Sequence, residues 1–225
     1  MIKNTKFPEA LSNYITQKEV EQISQDVFFI ISEVFIFENF QNYINEGFMV
    51  GLFNGLTITQ DQDNFYGIIK IITIINQEYS VGLRKDQIEN IFLKTFYYHE
   101  KSGILIEGMI RILNIEPDKE SKCRILQCFL DLLKSSPVCV MYSCDLESFI
   151  DVSMNILETT YTQKLRLYLL RVLEKLTRFD EYYKLKYKYV EMIEILESYV
   201  EHEDVTDKCK ELCLKTLENI KSCLN

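Results

Sequence analysis

Residues 162–176, TQKLRLYLLRVLEKL, decide the fold class. Thr162 is a good helix N-cap, and the apolar residues after it recur three and four positions apart, which places them on one face of a helix: Leu165, Leu169, Val172, Leu173 and Leu176. Tyr168 and Leu170 add apolar surface outside that face, as is typical of an inner helix that is covered on two sides. The stretch therefore predicts a buried amphipathic helix.

The same period recurs along most of the chain, and it predicts ten helices. They cover about residues 17–37, 40–53, 62–79, 85–98, 103–114, 118–134, 145–158, 162–176, 182–202 and 206–224. The expected N-terminal caps are the box Thr16–Glu19 and the residues Asp61, Asp118, Asp145 and Thr162, and an interruption is expected near Gly47. With 7 Gly and 3 Pro, the chain lacks the turn residues of a many-stranded sheet.

Alternate helices begin near residues 17, 62, 103, 145 and 183, so they are spaced by 45, 41, 42 and 38 residues. Armadillo and HEAT repeats have a period of roughly 40–47 residues. No linker or low-complexity tract interrupts the pattern. We therefore expect an all-α fold, a single armadillo/HEAT-like helical solenoid of about ten helices that spans residues 1–225.

The composition excludes several classes of protein. The 225 residues contain 25 Lys+Arg and 34 Asp+Glu, a net charge of −9, which argues against a nucleic-acid-coating protein. No run approaches the roughly 18 apolar residues of a membrane span, and the N-terminus does not resemble a secretory signal. All seven cysteines follow residue 122. We expect a cytoplasmic monomer with reduced cysteines and no integral membrane association.

Residues for catalysis are scarce. The two histidines, His99 and His202, have no convincing catalytic neighbours, and His99 is expected to cap a helix end as a cation. His202, Cys209 and Cys213 have the wrong spacing for a zinc site, and core cysteines are the better interpretation. No glycine-rich phosphate loop is present. We expect no enzyme activity and no cofactor.

The charge is unevenly distributed. Residues 1–100 carry 7 − 13 = −6, residues 101–160 carry 6 − 9 = −3, residues 161–190 carry 8 − 3 = +5, and residues 191–225 carry 4 − 9 = −5. The positive segment holds eight cations, called here the basic island: Lys164, Arg166, Arg171, Lys175, Arg178, Lys184, Lys186 and Lys188. Seven aromatic residues are interspersed with them, and Tyr and Arg are favoured in protein interfaces.

Three interpretations of the basic island stay open: a solvated face, a protein-binding surface, and a surface for nucleic acid or lipid. In the first, it is a solvated face whose lysines pair with the acidic neighbours Glu191, Glu194 and Glu197. In the second, it binds a partner protein, and the expected contact residues are then Arg166, Arg171, Arg178, Lys184 and Lys188. Arg171 lies between Leu170 and Val172, so it could instead point inward as a buried strut.

Residues 118–200 resemble the armadillo-type domain of the WISH/DIP/SPIN family, which includes the fungal Dip and Ldb proteins. The resemblance is carried, in order, by the segments FLDLLK (129–134), MYSCDL (141–146), FIDV (149–152), LRLYLLRVL (165–173) and YKLKYK (183–188). The sequence departs from the family pattern at Ser143 and Cys144, where Thr-Asn is usual, and in a shortened loop at residues 158–162.

The resemblance implies a function. Family members bind the Arp two/three complex (the Arp complex) and activate it without a preformed filament, which gives linear seed filaments of actin. Animal members add an SH3 domain and a proline-rich region, so a shortened version made of the activating domain is expected here. The implied partners are the Arp complex and actin, and the implied location is cortical actin patches.

A second resemblance supports an alternative. Residues 43–48 and 84–94 look like stretches of the HEAT-type B regulatory subunits of protein phosphatase two A. The alternative is a generic armadillo or HEAT adaptor, for example a phosphatase regulatory-type subunit.

Overall fold

The computed structural model of the protein describes residues 44–58, 62–81 and 89–222. In these three segments the chain forms ten α-helices and no strand. In chain order they are α1 (Glu46–Ile58), α2 (Gln62–Ser80), α3 (Ile91–Tyr98), α4 (Ser102–Ile115), α5 (Lys119–Ser135), α6 (Ser143–Thr159), α7 (Gln163–Leu176), α8 (Asp180–Leu185), α9 (Tyr189–Glu201) and α10 (Asp207–Ser222). The predicted all-α fold class is confirmed.

The chain divides into two compact units between Met109 and Ile110, a boundary that falls inside α4. The prediction of one domain over residues 1–225 stays a prediction.

In the first unit, α1 packs against α2 and α3, and α2 also contacts α3. The buried faces follow from the period: α1 contributes Phe48, Leu52 and Phe53, and α2 contributes a row of isoleucines, Ile68, Ile69, Ile71, Ile72 and Ile75. Burying such a side chain fully stabilises the fold by about 1.5–3 kcal/mol. A polar contact fixes the start of α3, because the N-cap Asn90 donates from Nδ2 to Oδ1 of the buried Asn76 at 2.9 Å.

Gly108 marks a close approach in the first unit. A Cβ at this position of α4 would lie 2.3 Å from Ile69 Cδ1 and 2.8 Å from the Phe65 ring. Atoms at that separation overlap, so α2 and α4 pack this closely only because residue 108 has no side chain.

The second unit has two layers. One layer places α7 between α5 and α10, and the other contains α6 with α8 and α9 in contact with it. Contacts between α6 and α7 and between α9 and α10 join the layers. The helices of the first layer run in the same direction, since Lys164 meets Glu120 at their starts and Asn219 meets Thr177 at their ends. Parallel stacking of every second helix is the packing that an armadillo/HEAT-like pattern predicts.

Buried aromatic rings pack in pairs in the second unit. Phe129 of α5 and Phe149 of α6 are both fully buried, and their ring centroids lie 5.1 Å apart with an angle of 62°. Tyr182 and Tyr189 stack at 5.0 Å, and the Tyr189 hydroxyl donates to the Tyr182 carbonyl at 2.7 Å. Each such ring pair stabilises the fold by about 0.5–1.5 kcal/mol beyond the stabilisation that comes from burying the rings.

Several predicted helix boundaries are wrong. The interruption expected near Gly47 is not among them, since α1 begins at Glu46 and the described residues before it, Ile44 and Asn45, are not helical. α6 begins before Asp145, which lies at its third position and accepts a hydrogen bond from the Tyr142 amide at 3.3 Å. The helix predicted over residues 182–202 is two helices, because Lys186 and Lys188 adopt left-handed backbone angles, with φ of 49° and 48°.

The predicted starts of two other helices, α5 and α7, are confirmed. Asp118 caps α5 by accepting from the amides of Glu120 and Ser121, and Thr162 is the N-cap residue of α7, although its side chain makes no capping hydrogen bond. The box Thr16–Glu19, the helix over residues 17–37 and the cap Asp61 lie outside the described residues. Among the helices that the structure describes, none has the length and apolar character needed to cross a membrane.

Candidate partner-binding surface

All five predicted contact residues lie in the second unit, but the structure distributes them over three places. Arg166 is inside, Arg171 and Arg178 lie along and just beyond α7, and Lys184 and Lys188 lie at the connection from α8 to α9. The basic island is therefore continuous in the sequence, but its residues lie at separate places on the molecule.

Arg166 is buried, with 8% of its surface exposed. Its Nε donates to the Thr160 carbonyl at 2.8 Å, and its guanidinium carbon lies 5.7 Å from the Tyr161 ring centroid and 5.1 Å from that of Tyr199. The inward arginine is thus Arg166, whereas the sequence suggested Arg171 for this role. Arg166 is therefore separate from the exposed cations of the basic island.

A cationic row lies on the outer face of α7: Lys164, Tyr168, Arg171 and Lys175. These residues follow the spacing i, i+4, i+7, i+11, which keeps them on one face of a helix. The buried stripe that was predicted from the sequence, from Leu165 to Leu176, lies on a different face of the helix. Lys164 is exposed, and the other three side chains are half-buried.

Two members of the cationic row have no acidic partner among the described residues. Lys164 forms an ion pair with Glu120 at 2.6 Å, and this hydrogen bond raises the pKa of Lys164. The Arg171 guanidinium carbon lies 5.8 Å from the Tyr168 ring centroid, a cation–π arrangement that steadies the arginine at the surface. Within the part of the chain that the structure describes, neither Arg171 nor Lys175 takes part in an ion pair.

Two further predicted contacts, Arg178 and Lys188, are neutralised by acidic partners. Arg178 pairs with Glu174 one helical turn earlier. Lys188 Nζ contacts Asp151 Oδ1 at 2.7 Å, a hydrogen bond that raises the pKa of Lys188. The expected partners Glu191, Glu194 and Glu197 are wrong for the basic island, whose ion pairs among the described residues are made with Glu120, Asp151 and Glu174.

The α8–α9 connection holds a second pair of cations. Lys184 and Lys186 are exposed and line a cavity of about 520 Å³ with Asp180, Tyr183 and Ser222. Neither lysine forms an ion pair with another described residue. The backbone here is held in place by the Lys188–Asp151 contact and by a hydrogen bond of 3.2 Å from the Tyr187 hydroxyl to Asp151 Oδ2. The two lysines are therefore presented from a fixed connection.

Lys175 and Lys186 belong to the basic island but were not among the five residues selected from the sequence. The signal for Lys175 was available, because it shares the helical face of Lys164 and Arg171. Lys186 gave no such signal, since its exposure depends on the break between α8 and α9. Among the basic-island cations that are not buried, four have no acidic partner in the described residues: Arg171, Lys175, Lys184 and Lys186.

His99, Cys209 and Cys213 are structural residues. His99 ends α3 as expected, but it is held neutral rather than charged, because burial lowers its pKa, and its ring packs at 5.1 Å on Phe53. Cys209 and Cys213 are core residues, whereas His202 is exposed. Burial raises the pKa of Cys213 to about 12. No cluster of metal-binding side chains occurs among the residues described.

Comparisons with known proteins identify the family and the fold. A model of the family "SPIN90/Ldb17, leucine-rich domain" matches residues 61–192, which is 192 − 61 + 1 = 132 of the 225 residues. The match extends well before residue 118, where the resemblance in the sequence began, and it includes the cationic row and the α8–α9 connection. A search of curated proteins finds no match.

Two solved structures are similar to this chain. A crystal structure of an engineered protein has a TM-score of 0.51 at 12% identity, with 95% of this chain and 81% of that chain covered. A designed armadillo repeat protein has a TM-score of 0.46 at 9% identity, with 95% and 99% covered. At 12% identity, the first of these shows the helical fold alone. The family match covers more than half of the sequence, and the chain belongs to the SPIN90/Ldb17 leucine-rich domain family.

Proposed function

We propose that the protein is a non-enzymatic activator of actin nucleation by the Arp complex, and that it acts without a preformed filament to give linear seed filaments. The observation that carries the proposal is the family match over residues 61–192, which fits an actin-related role. The family and the helical fold are typical of proteins that work by binding rather than by catalysis.

The proposed mechanism is a shift of population. An activator that binds the filament-like arrangement of the two actin-related subunits more tightly than their inactive arrangement will favour the active one. A tenfold preference corresponds to about 1.4 kcal/mol, and moving an equilibrium from 1:99 to 99:1 requires a preference of about 10⁴. The closely packed layers of the second unit suit this role, because a rigid surface loses little conformational entropy on binding.

The proposed contact surface is the cationic row of α7 together with the α8–α9 connection. Arg171, Lys175, Lys184 and Lys186 have no acidic partner in the described residues, so their charge is available to an acidic partner surface. Lys164, Arg178 and Lys188 are already paired, and Arg166 is buried, so we propose that these four contribute little to the contact.

An actin polymerisation assay tests the proposal. Purified protein is added to the Arp complex and monomeric actin, with no preformed filaments, and the fluorescence of labelled actin is followed in time. We expect the lag phase to shorten as the protein concentration rises. A lag equal to that of the Arp complex and actin alone, with Arp complex from the same source as the protein, would refute the proposal.

A pull-down from cell extract separates this proposal from the adaptor alternative. The activator is expected to recover Arp subunits, and a phosphatase adaptor would instead recover phosphatase subunits. The same proposal predicts that a fluorescently tagged protein collects at cortical actin patches in the cytoplasm.

A further inference from the structure

A cavity of about 490 Å³ lies in the second unit, apart from the cationic row. Its lining comes from the end of α6, the start of α7, the second half of α9 and the connection to α10. A volume of this size is within the range of small-molecule and peptide side-chain sites. Tyr161, which lines the cavity, has 84% of its surface exposed, so the site is accessible from solvent.

Arg166 lines this cavity and has N–H groups with no hydrogen-bond partner among the described residues. A guanidinium has five N–H groups. One of them reaches the Thr160 carbonyl, and another faces the Tyr199 hydroxyl, which itself donates to the Leu157 carbonyl. Arg166 forms no ion pair with any described residue, although it is more than nine-tenths buried. A buried cation without an anion raises the free energy of the folded chain, and an anionic group in the cavity would lower it.

The rim of the cavity is acidic. Glu158, Glu194 and Asp204 line it together with Arg166, which gives a local charge of +1 − 3 = −2 with His202 taken as neutral. This rim repels ligands with several negative charges, such as polyphosphates. A ligand that places one carboxylate on Arg166 and cationic groups against the rim matches both parts of the site.

We propose that this cavity binds a segment of a partner polypeptide in which one glutamate or aspartate is flanked by lysine or arginine residues. The carboxylate lies on the guanidinium of Arg166, with which it can form a paired hydrogen bond. The flanking cations meet Glu158 and Glu194, and the exposed Tyr161 ring offers a face to one of them. The site is independent of the proposed contact with the Arp complex, because the cavity has no residue of the cationic row in its lining.

The test measures fluorescence anisotropy of labelled, end-blocked peptides with the full chain. The first peptide is Lys-Arg-Glu-Leu-Arg-Lys, the second has glutamine in place of glutamate, and the third has aspartate in place of every lysine and arginine. We expect the glutamine peptide to bind at least tenfold more weakly than the first, and the acidic peptide to bind more weakly still. Equal affinity for the first two peptides, or no binding of the first at 1 mM protein, would overturn the proposal.

A variant locates the site. Ser198 is exposed on α9 and lines the cavity, so Ser198→Trp fills it without changing the core. Ser148→Trp is the matched control, since Ser148 is exposed on α6 and is not part of the lining. We expect Ser198→Trp to weaken binding of the first peptide at least tenfold and Ser148→Trp to change it less than twofold. Equal binding by the two variants would contradict the assignment.

Discussion

Reversing the charge of two unpaired cations should weaken binding of the Arp complex. Arg171 and Lys175 lie on the same face of α7, and neither has an acidic partner among the described residues. The double variant Arg171→Glu/Lys175→Glu changes the net charge from −9 to −13. It removes two attractions to an acidic partner surface and replaces each of them with a repulsion.

The size of the effect follows from the exposure of the two side chains. Pairs at half-buried surface positions are worth about 0.2–1 kcal/mol each. Reversal doubles the change at each site, so two sites give roughly 0.8–4 kcal/mol, with a central value of about 2 kcal/mol. Because 1.4 kcal/mol is a factor of ten, we expect Kd for the Arp complex to rise about thirtyfold.

The assay is binding of the labelled chain to the Arp complex at low and at high ionic strength. The Debye length falls from about 10 Å at 0.1 M to about 3 Å at 1 M, so the wild type should lose affinity with salt and the double variant should lose less. Circular dichroism confirms that the variant is folded.

The control is Lys94→Glu/Lys221→Glu, which makes the same change in net charge at two lysines that are already paired, with Glu46 at 3.2 Å and with Glu197 at 2.6 Å. We expect less than a threefold change in its Kd. Equal loss of affinity in the two double variants would show that only net charge matters. An unchanged Kd in Arg171→Glu/Lys175→Glu would refute the proposed contact surface.

Three further predictions concern stability and reactivity. Gly108→Ala should lower the free energy of unfolding by about 1–3 kcal/mol, because the added methyl group overlaps with Ile69 and Phe65. The control Gly103→Ala, at an exposed position of the same helix, should raise the free energy of unfolding by up to about 1 kcal/mol. Thermal unfolding followed by circular dichroism compares the two variants, and equal shifts in melting temperature would contradict the close packing at Gly108. Lys186→Gly should raise the melting temperature by about 2–4 °C, because glycine adopts φ of 49° without strain; a lower melting temperature would contradict this. With a thiol reagent at pH 8, the exposed Cys144 should be labelled within minutes, whereas the buried Cys213, whose pKa is about 12, should be labelled only when the chain unfolds. Peptide mass spectrometry measures the two labelling rates, and comparable rates would refute the burial of Cys213.

The helices of the second unit could be predicted from sequence because local rules agree there with the tertiary packing. The apolar stripe of residues 162–176 is the buried face of α7, and Asp118 caps α5 as its position before that helix indicated. The break between α8 and α9 was missed for a physical reason. Lysine has no preference for left-handed angles, and the contacts that hold residues 186–188 come from Asp151, more than thirty positions away.

The candidate site was predictable only in part. The excess of positive charge in residues 161–190 identified the segment, and the helical period was sufficient to place Arg171 and Lys175 on one face. The neutralisation of Lys164 and Lys188 depends on contacts with α5 and α6, which no local pattern reveals, whereas the pair of Arg178 with Glu174 follows from their i, i+4 spacing. The burial of Arg166 likewise depends on Tyr199 in α9, and a sequence in which arginine follows Leu165 gives no sign of it.

The central claim is activation of the Arp complex without a preformed filament, and imaging of single filaments tests it most directly. Fluorescently labelled protein, labelled Arp complex and actin monomers of a third colour are observed on a surface as filaments appear. We predict unbranched filaments with the protein and the Arp complex together at one end, at a frequency that rises with protein concentration. Filament formation at the same rate with and without the protein, or growth only as branches on existing filaments, would contradict it.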